Sequence, residues 1–152
     1  MENDFKPDFM KQALCMAEKA ASEDEVPVGA VVISRGVVIG RGYNRRETDQ
    51  NPVAHAEMMA LQEAARTMGT WRLIDCILVV TLEPCPMCLA ASQQARIGGL
   101  VFGAKDPKGG AISLGYCLHE DIRTHHRFPV SFSEMPECGQ ILTNFFERKR
   151  KL

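Results

Sequence analysis

The sequence predicts an α/β protein, a three-layer α/β/α sandwich in which helices flank a mixed five-stranded sheet. Two observations carry this reading. Segments with helical spacing of apolar residues alternate with short apolar runs, in the order helix, hairpin, helix, strand, helix, strand. The run Ile77 to Val80 is apolar without interruption, as expected of a strand covered on both faces. With 152 residues and no repeat, low-complexity stretch or linker, one domain with a proper core is expected to span 1–152.

Each element has its own signal. Pro7 and Asp8 open the first helix, because the fixed φ of proline suits a first turn, and the apolar stripe reads Phe9, Ala13, Met16, Ala17, Ala20. Val28 to Ile33 reads as a strand, Ser34-Arg35-Gly36 as a tight turn and Val37 to Ile39 as the antiparallel return. A second helix is expected from about Ala54 to Arg66, with the stripe Met58, Leu61, Ala65 and Gly69 as its stop. Ile77 to Val80 follows as a buried strand. The next helix begins at Cys85-Pro86-Met87-Cys88 and ends before Gly98-Gly99. Leu100-Val101-Phe102 reads as another buried strand and Val130-Ser131-Phe132 as a fifth, before a final helix with Cys138, Ile141, Leu142 and Phe145 on one face.

Composition narrows the function. The chain is 45% apolar and 24% charged with a net charge of −1, which argues against coating nucleic acid through bulk charge while leaving room for a local basic patch. Met1 to Phe5 has no basic, apolar, small-residue progression, so no signal peptide is expected, and no apolar run approaches the roughly 20 residues of a membrane span. Six cysteines without an export signal point to a reducing, cytoplasmic setting. There Cys15, Cys76, Cys117 and Cys138 read as small core hydrophobes, and Met58, Met59 and Met87 as core filler.

The chemistry concentrates in two short motifs, His55-Ala56-Glu57 and Pro84-Cys85-Pro86-Met87-Cys88. One imidazole and two thiolates make three metal ligands. A structural zinc closes its shell with four protein donors, whereas a catalytic zinc keeps the fourth position open. A lone CxxC is often a redox pair, but a redox pair has no use for His-x-Glu upstream. Zn²⁺ with two thiolates and a neutral imidazole sums to zero charge, so it acidifies water less than an all-histidine site, and a base beside it is needed. Glu57 fits that task, taking a proton from water and passing it on. In mid-helix His55 and Glu57 would point about 160° apart, so both are expected at a helix entrance, which Asn51-Pro52 supplies. Cys85 and Cys88 share one face of another first turn. Two helix amino-termini would then meet at the metal, and their positive ends favour thiolates.

The H-x-E…P-C-x-x-C signature resembles the zinc-dependent nucleobase deaminases. Further stretches extend the likeness over nearly the whole chain: Val26-Pro27-Val28-Gly29-Ala30-Val31, Gly42-Tyr43-Asn44, Thr81-Leu82-Glu83-Pro84, Val101 through Gly110, and Phe145-Phe146-Glu147-Arg148-Lys149-Arg150. All are similar to the bacterial tRNA-specific adenosine deaminases, within the cytidine and deoxycytidylate deaminase-like enzymes. That resemblance implies a homodimeric hydrolase with one Zn²⁺ per subunit that converts the wobble adenosine of an arginine tRNA to inosine. It implies zinc on His55, Cys85 and Cys88 and a proton shuttle at Glu57. Asn44 and the Ala56 backbone would hold the base edge, Pro27 and Val28 its face, and Asp106 and Lys108 the flanking nucleotides. The tail residues Arg148, Lys149 and Arg150 would meet RNA phosphates, with Arg123, His125, His126 and Arg127 as a second contact.

The chain departs from the family at Leu89 to Gln94, on a helix that commonly contributes to the dimer contact, and around Glu120-Asp121 and His125 to Phe128. These changes bear on association and tRNA selection and leave the zinc chemistry untouched. A free-base deaminase acting on guanine or cytosine is the first alternative. A non-catalytic zinc or RNA-binding module is the second, and an intact Glu57 argues against it.

Overall fold

The computed structural model describes residues 5–152. The expectation drawn from Met1 to Phe5 falls mostly outside that range. The described elements run α1 (Pro7–Ser22), β1 (Gly29–Ser34), β2 (Val37–Tyr43), α2 (Ala56–Met68), β3 (Cys76–Val80), α3 (Pro86–Gln94), β4 (Gly99–Phe102), β5 (Val130–Phe132) and α4 (Pro136–Arg150), with a 3₁₀ turn at Leu118–Glu120. The five strands form one sheet in the order β2-β1-β3-β4-β5. β1 pairs antiparallel with β2 and with β3, while β3–β4 and β4–β5 are parallel. The mixed five-stranded α/β sandwich expected from the sequence is what forms. Among the described residues no helix is long and apolar enough to cross a membrane.

Strand periodicity sorts the core into two layers. Ala30 and Val32 of β1, Leu78 and Val80 of β3, and Leu100 and Phe102 of β4 face Ala60 and Ala64 of α2 and Leu89 of α3. The alternate residues Val31, Ile33, Ile77, Val79 and Val101 face Phe9, Met10 and Ala13 of α1 and Cys138 of α4. β3 is buried along its whole length, which is why its sequence shows no alternation.

Several side chains differ from their sequence reading. Met10 rather than Met16 completes the buried stripe of α1, and in α2 the stripe is Ala56, Ala60, Leu61, Ala64, with Met58 and Ala65 half-buried at its border. Small residues take the centre because the helices lie close on the sheet, leaving larger side chains at the margins. Met59 and Met87 are likewise half-buried. Cys76 and Cys138 are core residues as expected, but Cys15 and Cys117 are exposed. In α4 only Cys138 and Phe145 are buried, with Ile141 and Leu142 half-buried, because the helix has a neighbour on one side alone.

The hairpin turns through Arg35 and Gly36, both at positive φ (51° and 76°), as a tight two-residue reversal requires. The return strand runs on to Tyr43, four residues beyond the expected Ile39. At the far end of β1 the joint to β3 is closed by Thr81, whose Oγ1 accepts the Gly29 N–H at 3.1 Å while its own N–H donates to the Gly29 carbonyl at 3.0 Å. The β3 carboxyl end, the start of β1 and the amino-termini of α2 and α3 thereby gather at one edge of the sheet, the usual place for a ligand in an open α/β fold.

Candidate metal centre and active site

His55 and Cys85 are the N-cap residues of α2 and α3, each with extended backbone (φ −79°, ψ 154° and φ −72°, ψ 169°). Because His55 stands outside the helix, it escapes the helical spacing that would aim it away from Glu57. Pro86 at the first helical position fixes the entry of α3 and brings Cys88 onto the face that Cys85 overlooks.

The three donors converge. His55 Nδ1 lies 3.6 Å from Cys85 Sγ and 3.5 Å from Cys88 Sγ, and all three ligand atoms lie within 4.8 Å of one another. Zinc bonds of about 2.05 Å to nitrogen and 2.3 Å to sulfur at tetrahedral angles would separate N and S by about 3.6 Å, so the donor set fits this ion. No fourth Cys, His or carboxylate joins the group among the described residues. Cys76, Cys117 and Cys138 lie outside it.

The charge state of the cluster suits a cation. The Cys85 thiol is lowered to about 4 by its hydrogen bond with Cys88, burial opposing and the His55 ring assisting. The same bond raises Cys88, and burial and the Glu57 carboxylate raise it further. A metal bound here would displace the thiol protons. His55 is raised by its hydrogen bond to Cys85. Glu57, 4% exposed, is pushed up to about 7 by burial. A carboxyl poised near neutrality both takes and gives a proton readily.

A cavity of about 260 Å³ opens over this centre. Val26, Val28 and Leu82 give it apolar lining, and Asn44, Arg46, Glu83, Asp106 and Gly109 line it too. Ala56 and Glu57 complete the lining together with His55 and Cys85. Of the residues expected to hold the base, Asn44, Ala56 and Val28 line the cavity, as does Asp106, expected at the flanking nucleotides. Pro27 does not. The Val28 N–H donates to the Val26 carbonyl at 2.9 Å, closing a tight bend at Pro27, so Val26 and Val28 line the cavity while Pro27 is buried away from it. The Asn44 amide is held by the chain, donating to the Val26 carbonyl at 3.2 Å and accepting the Arg46 N–H at 3.1 Å. Lys108 is exposed on the turn after Asp106 and does not line the cavity.

Arg46 and Glu83 were not singled out by the sequence reading. Arg46 lies where the chain leaves β2 and enters a turn, its N–H held by the Asn44 side chain, and Glu83 lies inside the motif that also carries the cysteines. Along with Glu57, Glu25 and Glu83 are the buried acidic side chains among the described residues, and both bind loops beside the site.

The basic groups elsewhere serve the fold first. Arg123 is paired with Asp121 at 2.6 Å, Arg127 donates to the carbonyls of Asp121, Ile122 and Thr124, and the His126 ring meets the Ile97 carbonyl at 2.6 Å. His125 is exposed. Arg148 and Lys149 lie over the Phe145 ring in the last turn of α4, and Lys149 also pairs with Asp24 at 2.5 Å.

The profile of the family described as the cytidine and deoxycytidylate deaminase zinc-binding region matches residues 4–104. A tRNA-specific adenosine deaminase of Bacillus subtilis (strain 168) is 46% identical over 144 residues, covering 94% of this chain and 89% of that protein. A structure from studies of A-to-I editing by tRNA:A34 deaminases at the wobble position superposes with a TM-score of 0.77 at 43% identity, covering 82% of this chain and 96% of the other. The guanine deaminase of Bacillus subtilis is more distant, with a TM-score of 0.64 at 29% identity over 97% of this chain and 96% of the other.

Proposed function

The chain belongs to the cytidine and deoxycytidylate deaminase zinc-binding family, and from that membership we propose that it hydrolytically deaminates the wobble adenosine of an arginine tRNA anticodon to inosine. The observation that carries the reading is the trio His55, Cys85 and Cys88, open on one side, with the buried carboxyl of Glu57 next to it. The greater identity to a tRNA adenosine deaminase than to a guanine deaminase supports the choice of substrate.

Zinc held by His55, Cys85 and Cys88 would polarise water at the open position. Glu57 would accept a proton from the attacking water and deliver it to N1 of the adenine as the water oxygen adds at C6. It then carries the second proton to the amino group, the C6–N bond breaks and ammonia leaves. Water is consumed, one ammonia is released and no redox partner is required. Asn44 and the Ala56 backbone orient the base edge, and Val26 and Val28 cover its face. A wobble base in an anticodon loop is already unpaired, so extruding it into a cavity costs little.

Asp106 and Lys108 meet the flanking nucleotides, and Arg148, Lys149 and Arg150 meet phosphates of the stem. The working unit is a cytoplasmic homodimer of single-domain chains, each spanning 1–152 and carrying one Zn²⁺. The decisive experiment offers the purified zinc protein an arginine-tRNA anticodon stem-loop alongside free adenine, guanine and cytosine. Inosine in the stem-loop is the expected product. Turnover of guanine or cytosine with an unmodified stem-loop would replace this reading with a free-base deaminase.

A further inference from the structure

Glu83 sits between the metal ligand Cys85 and the end of β3, is 3% exposed and has both carboxylate oxygens engaged. Oε1 accepts the Asp106 N–H at 3.1 Å and the Ser113 hydroxyl at 2.7 Å, while Oε2 accepts the Ser113 N–H at 2.7 Å. The loop crosses it at van der Waals contact: a Cβ on Gly110 would fall 2.1 Å from Oε2, so glycine alone fits there. Flanking backbone bonds complete the attachment, from Glu83 N–H to the Ala104 carbonyl and from Ala111 N–H to the Pro84 carbonyl, both at 2.8 Å. From this anchor Asp106 turns the chain, its Oδ1 accepting the N–H groups of Lys108 at 3.3 Å and Gly109 at 3.1 Å.

One buried carboxylate thus fixes the lip formed by residues 104–113 to the segment that delivers Cys85. We propose that Glu83 is a positioning residue for substrate, setting the place of Asp106 and Lys108 relative to the metal centre without touching the reacting atoms. The inference rests on reading Asp106 and Lys108 as the groups beside the flanking nucleotides. It assigns the lip a cost: without Glu83 the loop must be ordered each time RNA binds, so the effect falls on binding. The chemical step, run by Glu57, keeps its geometry.

Glu83→Gln is the sharp variant. A carboxamide has one accepting oxygen, so in either orientation its NH2 would face a backbone N–H, that of Ser113 or that of Asp106. In the zinc-loaded protein, hydrogen exchange at the Asp106 and Ser113 amides should accelerate about tenfold or more, the scale of one hydrogen bond to a charged group. With the stem-loop, KM should rise about tenfold while kcat changes less than about threefold. The effect should not add to that of Lys108→Ala, since both act through one lip. Ser113→Ala removes only the hydroxyl donor and should give a smaller shift of the same kind, which keeps the test available if Glu83→Gln does not fold. Unchanged exchange, a loss confined to kcat, or additive effects with Lys108→Ala would overturn the role of Glu83. A wild-type protein inactive on the stem-loop would instead overturn the substrate reading, and this use of the lip with it.

Discussion

Gly42 on β2 lies so close to α2 that a Cβ there would fall 2.2 Å from the carbonyl oxygen of Ala56. Ala56 is the residue between His55 and Glu57, so the backbone of the catalytic motif rests directly on the strand. Gly42→Ala should push the start of α2 outward. The expected result is a stability loss of about 1–3 kcal/mol, as for other overpacked contacts, accompanied by weaker zinc retention. Chemical denaturation and competition with a chelator measure the two. Val37→Ala, at an exposed position on the same hairpin, should change stability by less than about 0.5 kcal/mol.

Cys88→Ala removes a buried donor within 3.5 Å of His55 Nδ1. Elemental analysis should find about one zinc per chain in the wild type and a large loss in the variant. X-ray absorption should report one nitrogen and two sulfur donors from the protein. Four protein donors would mean a structural ion and would remove the basis for the proposed chemistry.

The order of elements was legible because each declares itself locally: Pro7 and Pro86 at helix starts, Gly69 at a helix stop in left-handed conformation, and the apolar β3. The metal trio was legible because ligand spacing maps onto helix first turns. What the sequence hid depends on partners far along the chain. The clamp of Glu83 on Ser113 spans 30 residues, and that of Glu25 on Thr48 spans 23. Nothing local tells a buried carboxylate that binds N–H groups from an exposed one. The single apolar face of α4 was legible as well: Phe145 is buried, while Phe146, one helical step around, is 44% exposed.

Glu57→Gln keeps the size of the side chain but cannot take a proton. The variant should retain zinc and lose the chemical step by ~10²–10⁴-fold, the usual yield of general acid–base catalysis. Single-turnover assays at saturating RNA isolate that step. Near wild-type turnover would require another base, and among the described residues the other buried carboxylate lining the cavity, Glu83, is engaged by Asp106 and Ser113.

Glu25 offers a pH test away from the metal. It is 1% exposed, and its oxygens accept the N–H groups of Glu47 at 3.2 Å and Thr48 at 2.6 Å. Burial alone would raise its pKa, but the hydrogen bonds from Thr48 and Glu47 and the charge of Arg45 together hold it below the usual carboxylate range. A carboxyl depressed in the folded state stabilises fully above its unfolded pKa, about 4.3, and loses that contribution as pH falls through the folded value. Glu25→Gln should therefore be less stable than the wild type by about 1–3 kcal/mol at pH 7. Below about pH 4 the gap should narrow as the wild type protonates. A gap that stays constant down to pH 3 would show that the carboxylate charge is not what holds the 44–48 loop.

Removing Arg148 to Leu152 separates RNA binding from folding. Phe145, the last buried residue of α4, is retained. The ion pair lost, Lys149 with Asp24, is solvent-exposed and worth at most about 1 kcal/mol, so thermal unfolding should shift little. Arg148, Lys149 and Arg150 are the phosphate contacts removed, Lys149 exchanging its Asp24 partner for phosphate when RNA binds. The slope of log affinity against log salt for the stem-loop should then become shallower by about 2–3, at roughly 0.7–0.9 per phosphate contact. kcat at saturating RNA should stay within about threefold, because none of these residues lines the cavity. An unchanged salt slope with an intact fold would assign the RNA contacts to the lip around Lys108 and leave the tail as a solvated helix end.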